Sequence, residues 1–392
     1  MSINYLYIDD DKTSVVEPMI SAITSQSLNG LKIEHTQVLG SISEAIDYIV
    51  KNQHRFDGII IDQDLKAKSE DEKSADYYGT TLAQQLRTDM AISRTEPSKS
   101  KLKTMPLVLM SNEEVIVQSF EPDDSSKNLF DYVIAKKKLI NESVKSRACK
   151  VLEGLIDAYK IANKYRKSAN QELNDEEIRN ILACDKKRYE FVDSRFLDYL
   201  KPKASDPHAL VSAIYSTLVQ SAGMLVTEEM LQTKLGIADD SPGWEVLKEQ
   251  QFSAYKYSGP FSRVKERWWF SGIEDWWYEI NPDEVLQSLT SKERVDFISK
   301  KLEIPKLNPI ETRYPNGEQS DCPWVNCVLS GLPLDPYDAL RARDPEAKPW
   351  EQTKYLDVKA FKDDTTEKYA IHRDDHSKVR LLLARLKPDV NS

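Results

Sequence analysis

Short apolar runs alternate with amphipathic stretches over the first 140 residues of the chain. The runs are Tyr5–Ile8, Leu31–Val38, Gly58–Ile61, Leu107–Met110 and Tyr132–Ala135. Between them, Ser14–Ser25, Ser41–Lys51 and Gly79–Met90 carry apolar residues at helical spacing. Short uninterrupted apolar strands need burial on both faces, and flanking helices supply it. The alternation therefore predicts an α/β domain with a doubly wound parallel sheet. The polar stretches Lys66–Asp76 and Ser93–Thr104 read as solvated loops.

The rest of the chain patterns differently. Glu142–Ala169 reads as a long helix with a stripe of Val144, Val151, Leu152, Leu155, Ile156 and Tyr159, suited to closing the first core, to dimerising or to relaying a change. Asp206–Ile237 reads as two helices, the second opened by Thr227 as N-cap and closed at Gly236. Beyond lie Tyr255–Phe261, Trp268–Gly272 and Trp276–Tyr278, which read as aromatic strands with a glycine-containing turn, a pattern like a winged helix. From Pro305 the chain is rich in Pro and Gly and ends on a predicted helix, Ser377–Leu386. The expected organisation is an α/β domain over 1–140, a connecting helix over 141–170, and an α+β output region. That region divides into 171–300, winged-helix-like in part, and 301–392, α+β or irregular.

Composition narrows the function classes. A net charge of -10 over 392 residues argues against a broadly basic nucleic-acid surface, though not against a local basic patch. No apolar stretch is long enough to cross a bilayer, so no membrane partner is expected. The first strand begins at once, leaving no room for a secretory signal, and four cysteines in so long a chain are no disulfide framework. A cytoplasmic setting is expected.

Two of the predicted strands end in carboxylates: Asp9, Asp10 and Asp11 follow the first, and Asp62 and Asp64 follow the third. Open parallel sheets place ligands at their carboxyl edge. Clustered carboxylates raise one another's pKa unless a cation compensates, and Mg2+ suits an all-oxygen site. Asp62 is placed to act as a nucleophile toward a phosphoryl group, with Asp9 and Asp10 orienting the ion. Ser111 follows the fourth strand and could donate to a phosphoryl oxygen. Lys136, just past the fifth, could pair with the product charge.

Residues 1–140 resemble a response-regulator receiver domain. The matching features are Leu6-Tyr7-Ile8-Asp9-Asp10, Phe56 through Asp62, Pro106 through Ser111, and Lys136. The resemblance implies that Asp62 is the phosphoacceptor, that Asp9, Asp10, Asp62 and the backbone at Asp64 surround Mg2+, and that Ser111 and Lys136 read the phosphorylated state. It also implies a histidine kinase or phosphotransfer protein as donor, and no turnover beyond gain and loss of the domain's own phosphoryl group. The chain departs from the family where Leu65-Lys66-Ala67-Lys68 replaces the usual proline and where Lys137 replaces the proline after the switch lysine. Tyr132 also lies one residue too early, putting Val133 at the usual aromatic position.

Outside this domain, Cys322, Cys327, His372 and His376 could form a Cys2His2 zinc site, although the four-residue Cys spacing and exposed setting favour ordinary cysteines and histidines. Trp268, Trp269, Trp276 and Trp277 beside Arg263, Lys265 and Arg267 could stack bases, but interrupting acids favour a core role. The leading reading is an atypical response regulator acting through a protein output partner, with homodimerisation open. The alternatives are an unphosphorylated pseudo-receiver scaffold in a bacterial signalling or antiviral defence complex, and a DNA-binding transcriptional regulator.

Overall fold

The computed structural model describes residues 2–37, 40–66, 75, 77–95, 102–120, 128–311, 321–365 and 369–386. The expected loops at 66–76 and 93–104 fall largely outside these residues, as does Val38. The chain divides into two compact units, the first made of 1–183, 197–216 and 259–264, the second of 184–196, 217–258 and 265–392.

The first unit holds β1 (Ile3–Ile8), α1 (Thr13–Thr24), β2 (Leu31–Thr36), α2 (Ile42–Asn52), β3 (Gly58–Ile61), α3 (Gly79–Thr95), β4 (Leu107–Ser111), α4 (Glu113–Phe120) and β5 (Tyr132–Ala135). All five strands are parallel, in the order β2-β1-β3-β4-β5. Sequence order reverses between β1 and β3, and open parallel sheets bind ligands at the carboxyl ends of the strands beside such a switch point. Every residue of β3 and β4 is buried. Leu6, Ile8, Ile59, Ile61, Leu107 and Leu109 share one core with α2 and α3. The alternate residues Tyr5, Tyr7, Ile60, Val108 and Met110 are also buried and point to the opposite face. Burial on both faces is why these strands read as continuous apolar runs.

Helix α5 (Glu142–Lys164) starts at an Asn141 cap and packs on α1. Tyr5 donates across that face from β1 to the Leu152 carbonyl of α5 at 2.8 Å. Five of the six expected stripe residues of α5 are buried, Val151, Leu152, Leu155, Ile156 and Tyr159, whereas Val144 is half-buried and the helix ends at Lys164, short of Ala169. Next come α6 (Asp175–Leu182) and two short helices, α7 (Lys186–Glu190) and α8 (Ser194–Leu200). They are followed by α9 (Pro207–Ile214), which packs on α5.

The second unit is built differently. It contains β6 (Leu225–Val226), α10 (Glu228–Leu235), α11 (Trp244–Leu247), β7 (Trp268–Trp269), α12 (Phe270–Ile280) and α13 (Ser291–Leu302). Two predicted marks of α10 hold: Thr227 accepts from Met230 N–H, and Gly236 ends the helix in a left-handed conformation at φ 72°. The aromatic segment corrects an expectation. β7 is a two-residue strand paired with β6, and Trp276–Tyr278 lie in α12, not in a strand. Ile273, Trp276 and Trp277 recur at helical spacing and are buried with Trp244, Phe252 and Trp268.

Further on, β8 (Val325–Asn326) and β9 (Pro333–Leu334) form a hairpin. β10 (Leu340–Arg343) sits between β11 (Tyr355–Leu356) and β12 (Ala370–Ile371), with α14 (Val358–Asp363) and α15 (Lys378–Arg385) completing this region. No helix among the described residues is long and apolar enough to cross a membrane.

Candidate functional site

The carboxyl edge of the parallel sheet gathers Asp9, Asp62, Ser111 and Lys136 from four strand ends. β1 pairs with β3 so that Ile8 lies opposite Ile61, and the next residues bring Asp9 and Asp62 together. β4 and β5 pair Ser111 with Ala135, which places Lys136 one residue past Ser111's level. Asp9, Asp62 and Ser111 are all buried.

Lys136 is the hub. Its Nζ lies 2.8 Å from Asp9 Oδ2 and 2.7 Å from Asp62 Oδ1. Burial would lower the Lys136 pKa, but Asp62 and then Asp9 outweigh it and raise the pKa above the ordinary lysine value. Asp62 Oδ1 has no hydrogen bond of good angle and is met by this ammonium as an ion pair. The other oxygen, Oδ2, accepts from the Asp64 N–H at 2.7 Å. Asp9 Oδ1 accepts from Asp11 N–H at 2.8 Å, and Oδ2 also accepts from the Tyr7 hydroxyl.

One ammonium faces three carboxylates here. Burial, followed by the negative charge of Asp9, pushes half-buried Asp10 up to about 6. Burial likewise pushes Asp62 up to about 6; Lys136 counters it and Asp9 adds to it. A folded-state pKa above the unfolded value gives stability that is full below pH 3.8 and lost as pH rises through about 6. Replacing Asp62 by Asn removes that cost but also weakens the ion pair to Lys136. Asp62→Asn is therefore expected to stabilise the fold by about 1–2 kcal/mol at pH 8, with the gain fading toward pH 4. Urea titrations at the two pH values check this, and an equal or larger effect at pH 4 would sink it.

Three supports were not legible in the sequence. Tyr7 reads as an ordinary core residue of a strand, yet its hydroxyl is bound to Asp9. Burial, then Asp9, raise the Tyr7 pKa far above the ordinary phenol value, so the hydroxyl stays a donor. Buried Gln63 accepts from Thr80 N–H at 3.2 Å and so fixes the start of α3. Gly79 stands so close to the pocket that a Cβ there would lie 2.0 Å from the Asp62 carbonyl oxygen. A glycine at the first position of a helix carries no such signal in one sequence.

The donor set suits a hard cation in kind and charge: carboxylate oxygens from Asp9, Asp10 and Asp62 with a net negative excess. Among the described residues, however, no three His, Cys, Asp or Glu side chains converge as metal ligands. In the pocket, Lys136 takes the place between Asp9 and Asp62 that a cation would compete for. Lys137 and Lys138 turn instead to Glu114 and Glu113 of α4 in exposed ion pairs. Val133 packs against the core with β4, as its register predicts.

Among the described residues, Cys322, Cys327, His372 and His376 are not gathered into a ligand set. Cys327 is buried and its sulfur accepts from Asp357 N–H at 3.1 Å. His372 and His376 are exposed at the two ends of a single 3-10 turn, where His372 accepts from Asp374 N–H, and share no helical face. The base-stacking expectation has no exposed tryptophan pair to use: Trp268, Trp269, Trp276, Trp277 and Arg267 are all buried.

No protein-family model matches the chain, and no curated protein matches it.

Proposed function

We propose that the first unit is a receiver-type phosphoacceptor domain and that Asp62 accepts the phosphoryl group. The observation that carries this reading is the ion-paired Asp62, buried at the sheet's switch point with its Oδ2 on the Asp64 N–H and its Oδ1 on Lys136. In this reaction an Asp62 carboxylate oxygen bonds to phosphorus as the bond from phosphorus to the donor's leaving group breaks. The product is an acyl phosphate. Lys136 pairs with the new phosphoryl charge, and Ser111 donates to a phosphoryl oxygen. Asp9, Asp10, Asp62 and the backbone at Asp64 would hold Mg2+, which supplies positive charge to the phosphoryl oxygens when bound. A histidine kinase or phosphotransfer protein is the donor class, and a protein partner reads the change in the Ser111–Lys136 region.

The test is intact-mass detection of the phosphoprotein after incubation with acetyl phosphate, with and without Mg2+. The expected result is Mg2+-dependent labelling that disappears in Asp62→Asn. Absence of label, under conditions that phosphorylate a control receiver, would overturn the reading. It would leave a non-phosphorylated scaffold, which one observation favours: the Tyr7 hydroxyl and Lys136 already satisfy Asp9 without a metal.

A further inference from the structure

The second unit contains a cavity of about 290 Å³ between one face of α10 and the β8–β9 hairpin. No lysine or arginine lines it. Its polar lining is Gln232 and Thr233 from α10, Asn326 from β8, and the carboxylates of Glu229, Asp239 and Glu311. Ile237 and Leu332 contribute apolar wall.

The hydrogen bonds fix which way the Asn326 amide faces. The Thr233 hydroxyl spends its proton on the Glu229 carbonyl at 2.9 Å, so toward Asn326 it can only accept. The Gly331 carbonyl can only accept as well. Asn326 Nδ2 therefore donates to both, at 2.8 and 3.0 Å, and Oδ1 must point elsewhere. That oxygen is buried and has no donor. Gln232 is 8 % exposed, lines the same cavity and makes no side-chain hydrogen bond among the described residues. An amide oxygen held without a donor costs free energy that a ligand N–H would recover.

The three carboxylates stand at the exposed rim. Burial would raise the Glu229 pKa, but the Thr227 hydroxyl and the charges of Lys265 and Arg267 hold it below the ordinary range, so this group is anionic at neutral pH. Neither Lys265 nor Arg267 lines the cavity.

We propose that this cavity binds a guanidinium group on an aliphatic stem. The planar donors meet the Gln232 amide oxygen, the charge is matched by Glu229 and its neighbouring rim carboxylates, and the stem lies along Ile237 and Leu332. The lining offers several acceptors and no cation. A phosphate or carboxylate ligand would meet like charge with nothing to compensate it. Two sources carry the same chemistry: a free guanidino compound, or the arginine side chain of a peptide.

The experiment is calorimetric titration of the full chain with agmatine, with a blocked arginine-containing tripeptide, and with the neutral ureido analogue of agmatine. The expected result is saturable binding of a guanidinium probe, with the ureido analogue weaker by roughly tenfold or more, as loss of charge-assisted hydrogen bonds requires. Gln232→Leu is expected to weaken binding by a similar factor. Should that variant fail to fold, the rim pair Glu229→Gln and Glu311→Gln gives the same readout and touches no buried group. Tighter binding of the peptide assigns the source to a protein chain, and tighter binding of agmatine assigns it to a free ligand. No saturation by either probe at millimolar concentration, or equal binding of the ureido analogue, overturns the proposal.

Discussion

Replacing Asp131 by Asn, or Arg87 by Met, is expected to cost the first unit about 3–5 kcal/mol, because either change strands a buried charge. Asp131 sits just before β5, with its side chain 1 % exposed. Its oxygens accept from the Arg87 guanidinium at 2.8 Å, the Tyr159 hydroxyl at 2.9 Å and the Leu107 N–H at 2.8 Å, and meet His208 Nδ1 at 2.8 Å. Burial alone would raise the Asp131 pKa, but Arg87 first and His208 second hold the carboxyl well below the ordinary range. Arg87 also donates to the Leu129 carbonyl at 2.8 Å, to the Tyr159 hydroxyl at 3.2 Å and to the Met105 carbonyl at 3.5 Å.

A depressed folded-state pKa gives stability that is full above the unfolded carboxylate value, near 4, and is lost as pH falls through the folded one. The gap between the native chain and Asp131→Asn should therefore be widest near neutrality and narrow below pH 4. Denaturant titrations across that range read it directly. The double variant Arg87→Met with Asp131→Asn should cost clearly less than the two single changes added together, since no unpaired charge remains. Additive costs would mean that the network is held by packing and not by charge. Because Asp131 and Leu107 lie at the amino ends of β5 and β4, while Asp62 lies at a carboxyl end, folded Asp131→Asn should keep whatever phosphorylation the native chain shows.

The contrast between these two edges of one sheet explains what could be read from the chain. The strand runs and the acids that follow them are local: Ile59–Ile61 is apolar because both faces of β3 are covered, and Asp62 is simply the next residue out. The pocket's members follow from such local runs taken together, whereas the strand order does not. The Asp131 network is not local, since its partners lie at 87, 159 and 208 and none carries a distinctive neighbour in sequence. The tryptophan segment misleads for another reason. Paired aromatics match the preferences of strands, and helical packing of Phe270, Ile273, Trp276 and Trp277 overrides that preference once the second core forms. Gln232 is silent in sequence because one glutamine on a charged helix carries no mark of the cavity that it lines.

Lys234 supplies the second large effect. It lies on α10 and is 3 % exposed. Its Nζ donates to the Trp324 carbonyl at 3.2 Å and sits 4.3 Å from the centre of the Trp324 ring and 4.6 Å from that of Phe270. No carboxylate forms an ion pair with it among the described residues. Burial pushes its pKa down to about 7; Glu274 opposes the shift and Arg294 adds to it. A lysine whose folded pKa is depressed contributes its full stability only above the unfolded value of 10.5, and loses it as pH falls to about 7. Taken alone, that shift corresponds to a penalty of about 5 kcal/mol below neutrality. The two aromatic faces return about 2 kcal/mol of it as cation–π attraction, and the hydrogen bond to Trp324 returns about 1–2 kcal/mol more. Lys234→Met keeps the stem, places sulfur against the same rings and removes the charge. The expected outcome is a gain of about 1–2 kcal/mol at pH 7, together with loss of the rise in stability that is expected of the native chain between pH 7 and 10. Thermal denaturation of both proteins at several pH values decides it. A native stability that stays flat over that interval, or a methionine variant less stable at pH 7, would mean that the aromatic cage holds the ammonium better than water does.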